Sequence, residues 1–146
     1  MKLPVSSAFV SVHCHATEDE EKVLRALRAI VPVDVEVRRT RAEGHHGNPI
    51  IVMNAGIREK ATLSEVWKKI VGCGEQILPR LDERVDEHRQ LHLRFDKQAA
   101  FRGQLSLTRG SDAIHLRLKI NAFPPRRENA IRFIKDALKR GGEDEG

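Results

Sequence analysis

Tyrosine is absent from this chain, and its rings amount to one tryptophan and five phenylalanines, 4% of the residues. So few aromatics leave little material for a platform on which successive bases could stack. Cysteine is nearly as scarce. Cys14 and Cys73 stand far apart in no paired motif, which excludes a disulfide scaffold, a zinc finger and a Cys-x-x-Cys redox centre. Two lone thiols read as small buried hydrophobes. No apolar run approaches the roughly 20 residues a membrane helix needs. Ser6, Ser7, Ser11 and His13 interrupt the apolar patch near the N-terminus, so no signal peptide is expected and the predicted location is cytoplasmic. The enzyme templates are missing too: no phosphate-binding glycine loop, no dinucleotide fingerprint, no His-Glu-x-x-His and no serine elbow. The sequence therefore predicts no catalytic residue, no resident metal and no cofactor.

What is present is charge. The 146 residues are 40% apolar and 32% charged, a balance that suits one globular domain. Lysine and arginine number 26 against 21 acids, giving a formal charge of +5 and a pI near 9.6. Three of those acids, Glu143, Asp144 and Glu145, close the chain, so the body is more basic than the total suggests. An excess of one sign favours polyanions through the phosphate term. A charge-rich surface of the heat-adapted kind explains the number of charges but not their bias.

Periodicity supplies the elements. Ala8, Val10, Val12 and Cys14 alternate with Phe9, Ser11, His13 and His15, the pattern of a half-buried strand. Thr17 and Glu20 form a capping box ahead of an apolar stripe through Val23, Leu24, Leu27, Ile30 and Val31, and Pro32 stops that helix. A strand over 33–43 and another over 50–53 flank a Gly-Asn-Pro loop. Thr62 and Glu65 mark a second capping box, followed by a helix that breaks near Pro79. Three strands follow, around Leu91–Phe95, Leu105–Leu107 and Ile114–Ile120, and then a last helix after Pro124 and Pro125. This order predicts an α+β fold: a mostly antiparallel sheet of about five to six strands with helices packed on one face. The expected boundaries are a single domain over 1–140 and a disordered acidic tail over 141–146.

If helices cover one face, the other carries Ser7, Phe9, Ser11, His13, His15, His92, Arg94, Ser106, Thr108, His115, Arg117, Lys119 and Asn121, with Arg38–Arg41 on a neighbouring strand. That face is polar, basic and histidine-rich, suited to following a phosphate backbone. A protein partner or a second copy of the chain is the competing occupant. Arg38, Arg39 and Arg41 are the densest basic run, each with a donor fork that fits phosphate; charge on a protected edge strand is the plainer explanation. The run leads into Glu43-Gly44-His45-His46-Gly47-Asn48-Pro49. Adjacent histidines seldom converge on one ion, so His45, His46 and Asn48 fit contacts to phosphate, sugar or base edges better than a metal. Lys97 is placed to reach phosphate, and Arg126 and Arg127 sit at the start of the final helix, where free amides also attract anions.

The stretches Glu43–Ile50, Leu93-Arg94-Phe95-Asp96-Lys97-Gln98-Ala99-Ala100-Phe101 and Ile114-His115-Leu116-Arg117-Leu118-Lys119-Ile120 resemble an archaeal family of predicted RNA-binding proteins, over nearly the whole chain from about Val5 to Leu138. The resemblance implies a ribosomal-protein-L-five-like α+β fold, RNA as partner, and a role in RNA processing or beside the exosome. It brings no catalytic residues with it. The matching positions are His45, His46, Asn48, Arg94, Asp96, Lys97 and Gln98. The expected function is thus RNA binding through a basic sheet face and the His-His loop. The alternative is a structural or assembly protein whose open sheet face takes a protein partner.

Overall fold

The computed structural model describes residues 3–44 and 47–144. Among them are five strands and six helices: β1 (Val5–His15), α1 (Glu20–Leu27), β2 (Arg38–Glu43), β3 (Pro49–Ile57), α2 (Lys60–Val71), α3 (Gly74–Ile77), α4 (Leu81–Arg84), β4 (Gln90–Asp96), α5 (Lys97–Phe101), β5 (Ala113–Ile120) and α6 (Arg127–Asp144). The strands form one antiparallel sheet in the order β2-β3-β1-β5-β4. Side-chain alternation survives intact. Ala8, Val10, Val12 and Cys14 are buried on β1, Leu91, Leu93 and Phe95 on β4, and Ile114, Leu116, Leu118 and Ile120 on β5, so helices cover one face only.

Contacts divide the chain into two compact units. The first comprises residues 1–8, 57–93 and 117–146. There α6 packs on α2, α3 and α4, and Leu63, Val66, Trp67, Ile70, Ile77, Leu81, Ile134 and Leu138 are buried. The second comprises residues 9–56 and 94–116. In it α1 packs on α5, burying Val23, Ala26, Leu27, Ala99 and Ala100, and the Arg25 guanidinium lies 5.1 Å from the centre of the Phe101 ring. Both cysteines are free and buried, and burial pushes each thiol above its usual pKa.

Several elements depart from the pattern in the sequence. Helix α1 is capped by Asp19, whose carboxylate accepts from the Glu21 amide at 2.9 Å, and not by Thr17 of the expected box. Helix α2 begins at Lys60 and takes Thr62 into its first turn, where it is buried. Strand β2 starts at Arg38, since the Arg28 guanidinium donates to the carbonyls of Pro32 and Val35 at 2.6 and 2.7 Å and holds that segment as turns. The expected strand at 105–107 shrinks to one bridge between Phe95 and Leu107, because β4 turns into α5 right after Asp96. Helix α6 continues through Asp144, past the point where the sequence suggests a tail, and residues 145–146 lie outside the described residues.

Candidate nucleic-acid interface

The second unit holds a buried cation. Asp96 ends β4 and caps α5, accepting from the Ala99 amide at 3.0 Å. The next residue, Lys97, is thereby turned inward and is 6% exposed. An ammonium has three donors. Lys97 Nζ spends them on the His13 carbonyl at 2.8 Å, Glu18 Oε1 at 2.9 Å and Asp112 Oδ1 at 3.0 Å. His15 adds two contacts: its amide donates to Glu18 Oε1 at 3.0 Å, and its Nε2 lies 3.1 Å from Asp112 Oδ1. A carboxylate only accepts, so that bond places a proton on Nε2. Burial opposes the charge on Asp112, yet the hydrogen bonds from Lys97 and His15 outweigh it and hold the carboxyl below its usual pKa. The sequence offers Lys97 to phosphate; the structure removes it from the contact surface, because no donor is left over.

His15, Glu18 and Asp112 each bring a ligand atom within 4.8 Å of the others, the metal-like grouping among the described residues. Lys97 Nζ already touches both carboxylate oxygens. The cluster is therefore an ion network centred on lysine rather than a set of metal ligands. No signal in the sequence reveals it, since the bonds that join Lys97 and Asp112 to His13, His15 and Glu18 span 79 to 97 positions.

Beside the network a cleft of about 170 Å³ opens on the uncovered sheet face, lined by Ser11, Val12, His13, Arg94, Ser111, Asp112, Ala113 and His115. Three adjacent strands contribute: His13 on β1, His115 on β5 and Arg94 on β4. Of these, the sequence singles out only Arg94 as a contact residue. The two histidines belong to the expected face without being named as binding residues.

Edge strand β2 is exposed along its whole length. Its register with β3 sets Arg39 opposite Met53, Arg41 opposite Ile51 and Arg38 opposite Asn54. Met53 is buried, so Arg39 and Arg41 lie on the helix side of the sheet and Arg38 on the open side. The run thus does not add to the open face as a block. Arg39 pairs with Glu20 at 3.4 Å, an exposed contact of small energetic weight. Asn48 is exposed, and its carbonyl accepts from the Gly44 amide at 2.7 Å; Gly47, at φ +75°, makes the turn. His45 and His46 lie outside the described residues.

In the first unit, Arg117 and Lys119 are exposed on β5. Arg126 is exposed as well, but Arg127 is engaged, its guanidinium donating to the carbonyls of Val85 (2.9 Å) and Asp82. The structure therefore makes Arg127 a tie between α6 and the end of α4, with little left for phosphate. His92 Nε2 lies 2.7 Å from Asp86 Oδ2, while the other Asp86 oxygen accepts from the amides of His88 and Gln90. Phe123, 92% exposed, is an uncovered aromatic that no sequence pattern singles out.

Comparison with known proteins adds three findings. A family model described as RNA binding matches residues 8–120. The RNA-binding protein PAB1135 of Pyrococcus abyssi is 35% identical over 98% of both chains. The structure of Mth689, a DUF54 protein from Methanothermobacter thermautotrophicus, is 37% identical and superposes with a TM-score of 0.85, covering 92% of this chain and 98% of that one. Among the described residues, no helix is long and apolar enough to cross a membrane.

Proposed function

The chain belongs to the RNA-binding family, and from that premise we propose that it binds RNA mainly through phosphate contacts and catalyses no reaction on it. The observation that carries this reading is the family match together with an exposed basic edge: Arg38 and Arg41 stand on β2 with no ion pair among the described residues. Guanidinium forks on a protruding edge fit phosphate oxygens. Asn48 and the His45-His46 tip extend the same segment in sequence. Arg94 serves as a contact in the second unit, and Arg117, Lys119 and Arg126 in the first. With few rings available, positive charge rather than stacking supplies most of the affinity.

We place this activity in the cytoplasm, as an accessory factor in RNA processing or beside the exosome, and the family resemblance of the sequence implies a ribosomal-protein-L-five-like fold. Photo-crosslinking to an oligoribonucleotide carrying 4-thiouridine, followed by peptide mapping, tests the contacts. Crosslinks should fall within 38–54 and around Arg94. Crosslinks confined to α2 and α6, or none at low salt, would refute the reading.

Phe9, 36% exposed on the open side of β1, favours a second reading in which that face takes a protein partner or another copy of the chain. A partner that stays bound after nuclease treatment supports it; one released by nuclease supports RNA.

A further inference from the structure

We propose that the cleft formed by Ser11, His13, Arg94 and Ser111 is a subsite for one backbone phosphate of single-stranded RNA. The inference rests on the RNA-binding reading and gives it a location.

The lining suits an oxyanion. Arg94 is exposed and offers a planar fork, the serine hydroxyls can rotate to donate, and His13 adds an imidazole from β1. The size suits one group rather than a ligand. At about 170 Å³ the cleft is smaller than the roughly 300 Å³ at which small-molecule pockets begin. A base and its ribose would remain outside, as expected for a site that grips a chain by its backbone.

One wall is an acid, which would normally repel phosphate. Here Asp112 Oδ1 is turned to Lys97 Nζ and His15 Nε2, at 3.0 and 3.1 Å, so its charge is compensated from behind. Lys97 also holds the His13 carbonyl and so fixes the strand that carries the His13 ring. It acts as a positioning residue for a site it does not enter.

Two probes test this at constant ionic strength. The dinucleotide UpU carries a single diester phosphate, and its titration at pH 7 is followed by NMR at the His13 ring protons. A labelled single-stranded 12-mer RNA is titrated at the same pH. Arg94→Gln should weaken UpU about tenfold, the loss of one charge-assisted contact. Arg38→Ala with Arg41→Ala should weaken the 12-mer. Ring signals that UpU leaves unmoved, or a UpU affinity that Arg94→Gln leaves unchanged, would overturn the subsite. If UpU moves the His13 signals and the 12-mer fails to bind at low salt, the subsite stands and the RNA-binding reading falls.

Discussion

Replacing Lys97 by methionine keeps a long apolar stem and removes the charge, so it isolates the ion network from packing. Breaking a buried ion pair by deleting one partner costs about 3–5 kcal/mol when the survivor is dry. Here the survivors are not dry. The Glu18 and Asp112 side chains are 26% and 54% exposed, so water recovers part of the loss. The His13 carbonyl also loses a donor, worth about 1 kcal/mol. These considerations converge on a destabilisation of about 2–3 kcal/mol. For a chain near 150 residues that lowers Tm by about 5–10 °C. The pH dependence gives a second handle. The folded pKa of Asp112 is lowered, so its contribution is complete above the ordinary carboxylate range and is lost as pH falls through the lowered value. The gap between wild type and Lys97→Met should therefore be full at pH 7 and should narrow below about pH 4 toward the share owed to the His13 carbonyl. Calorimetry at pH 7 and urea titrations from pH 7 to pH 3 read both effects. A Tm within 2 °C of wild type, or a gap that persists unchanged at pH 3, would refute the account of Lys97 as the hub of this unit.

Three further outcomes follow from the same structure. Asp96→Ala removes the cap that starts α5 and should cost about 1 kcal/mol in urea unfolding at pH 7. Asp86→Ala frees the amides of His88 and Gln90 and the ring of His92, at a cost of about 1–2 kcal/mol. Burial opposes the Asp86 charge, but these bonds prevail and lower its pKa, so the wild-type advantage is present at pH 7 and fades below about pH 4. Trp67→Ala opens a large cavity in the first unit and should cost about 3–5 kcal/mol by the same measurement.

The strands were the legible part of this chain, because side-chain alternation needs no knowledge of neighbours. Ile114, Leu116, Leu118 and Ile120 are buried as their spacing predicts. Helix starts were less legible. Thr17 and Asp19 are both acceptable caps by composition, and the structure uses Asp19, which accepts from the Glu21 amide. Strand length fails where a remote side chain intervenes, as Arg28 does when it gathers the carbonyls of Pro32 and Val35. The site divides the same way. Arg94 and Arg38 were visible as basic residues on strands, and their sides of the sheet follow from parity. The burial of Lys97 was not visible, since a lysine looks equally solvated in any sequence until His13, Glu18 and Asp112 converge on it. Arg127 is a parallel case: its position at a helix start suggested anion binding, and two carbonyls took the guanidinium instead.

The salt dependence of RNA binding probes the central claim most directly. Fluorescence anisotropy of a labelled single-stranded RNA, titrated at several salt concentrations, should give a straight fall of log K against log salt. Arg38→Ala with Arg41→Ala should flatten that slope by about 1.4, two phosphate contacts at roughly 0.7 each for a single strand. A slope identical in the double variant, or no binding by the wild type at low salt, would contradict phosphate contact through the β2 edge.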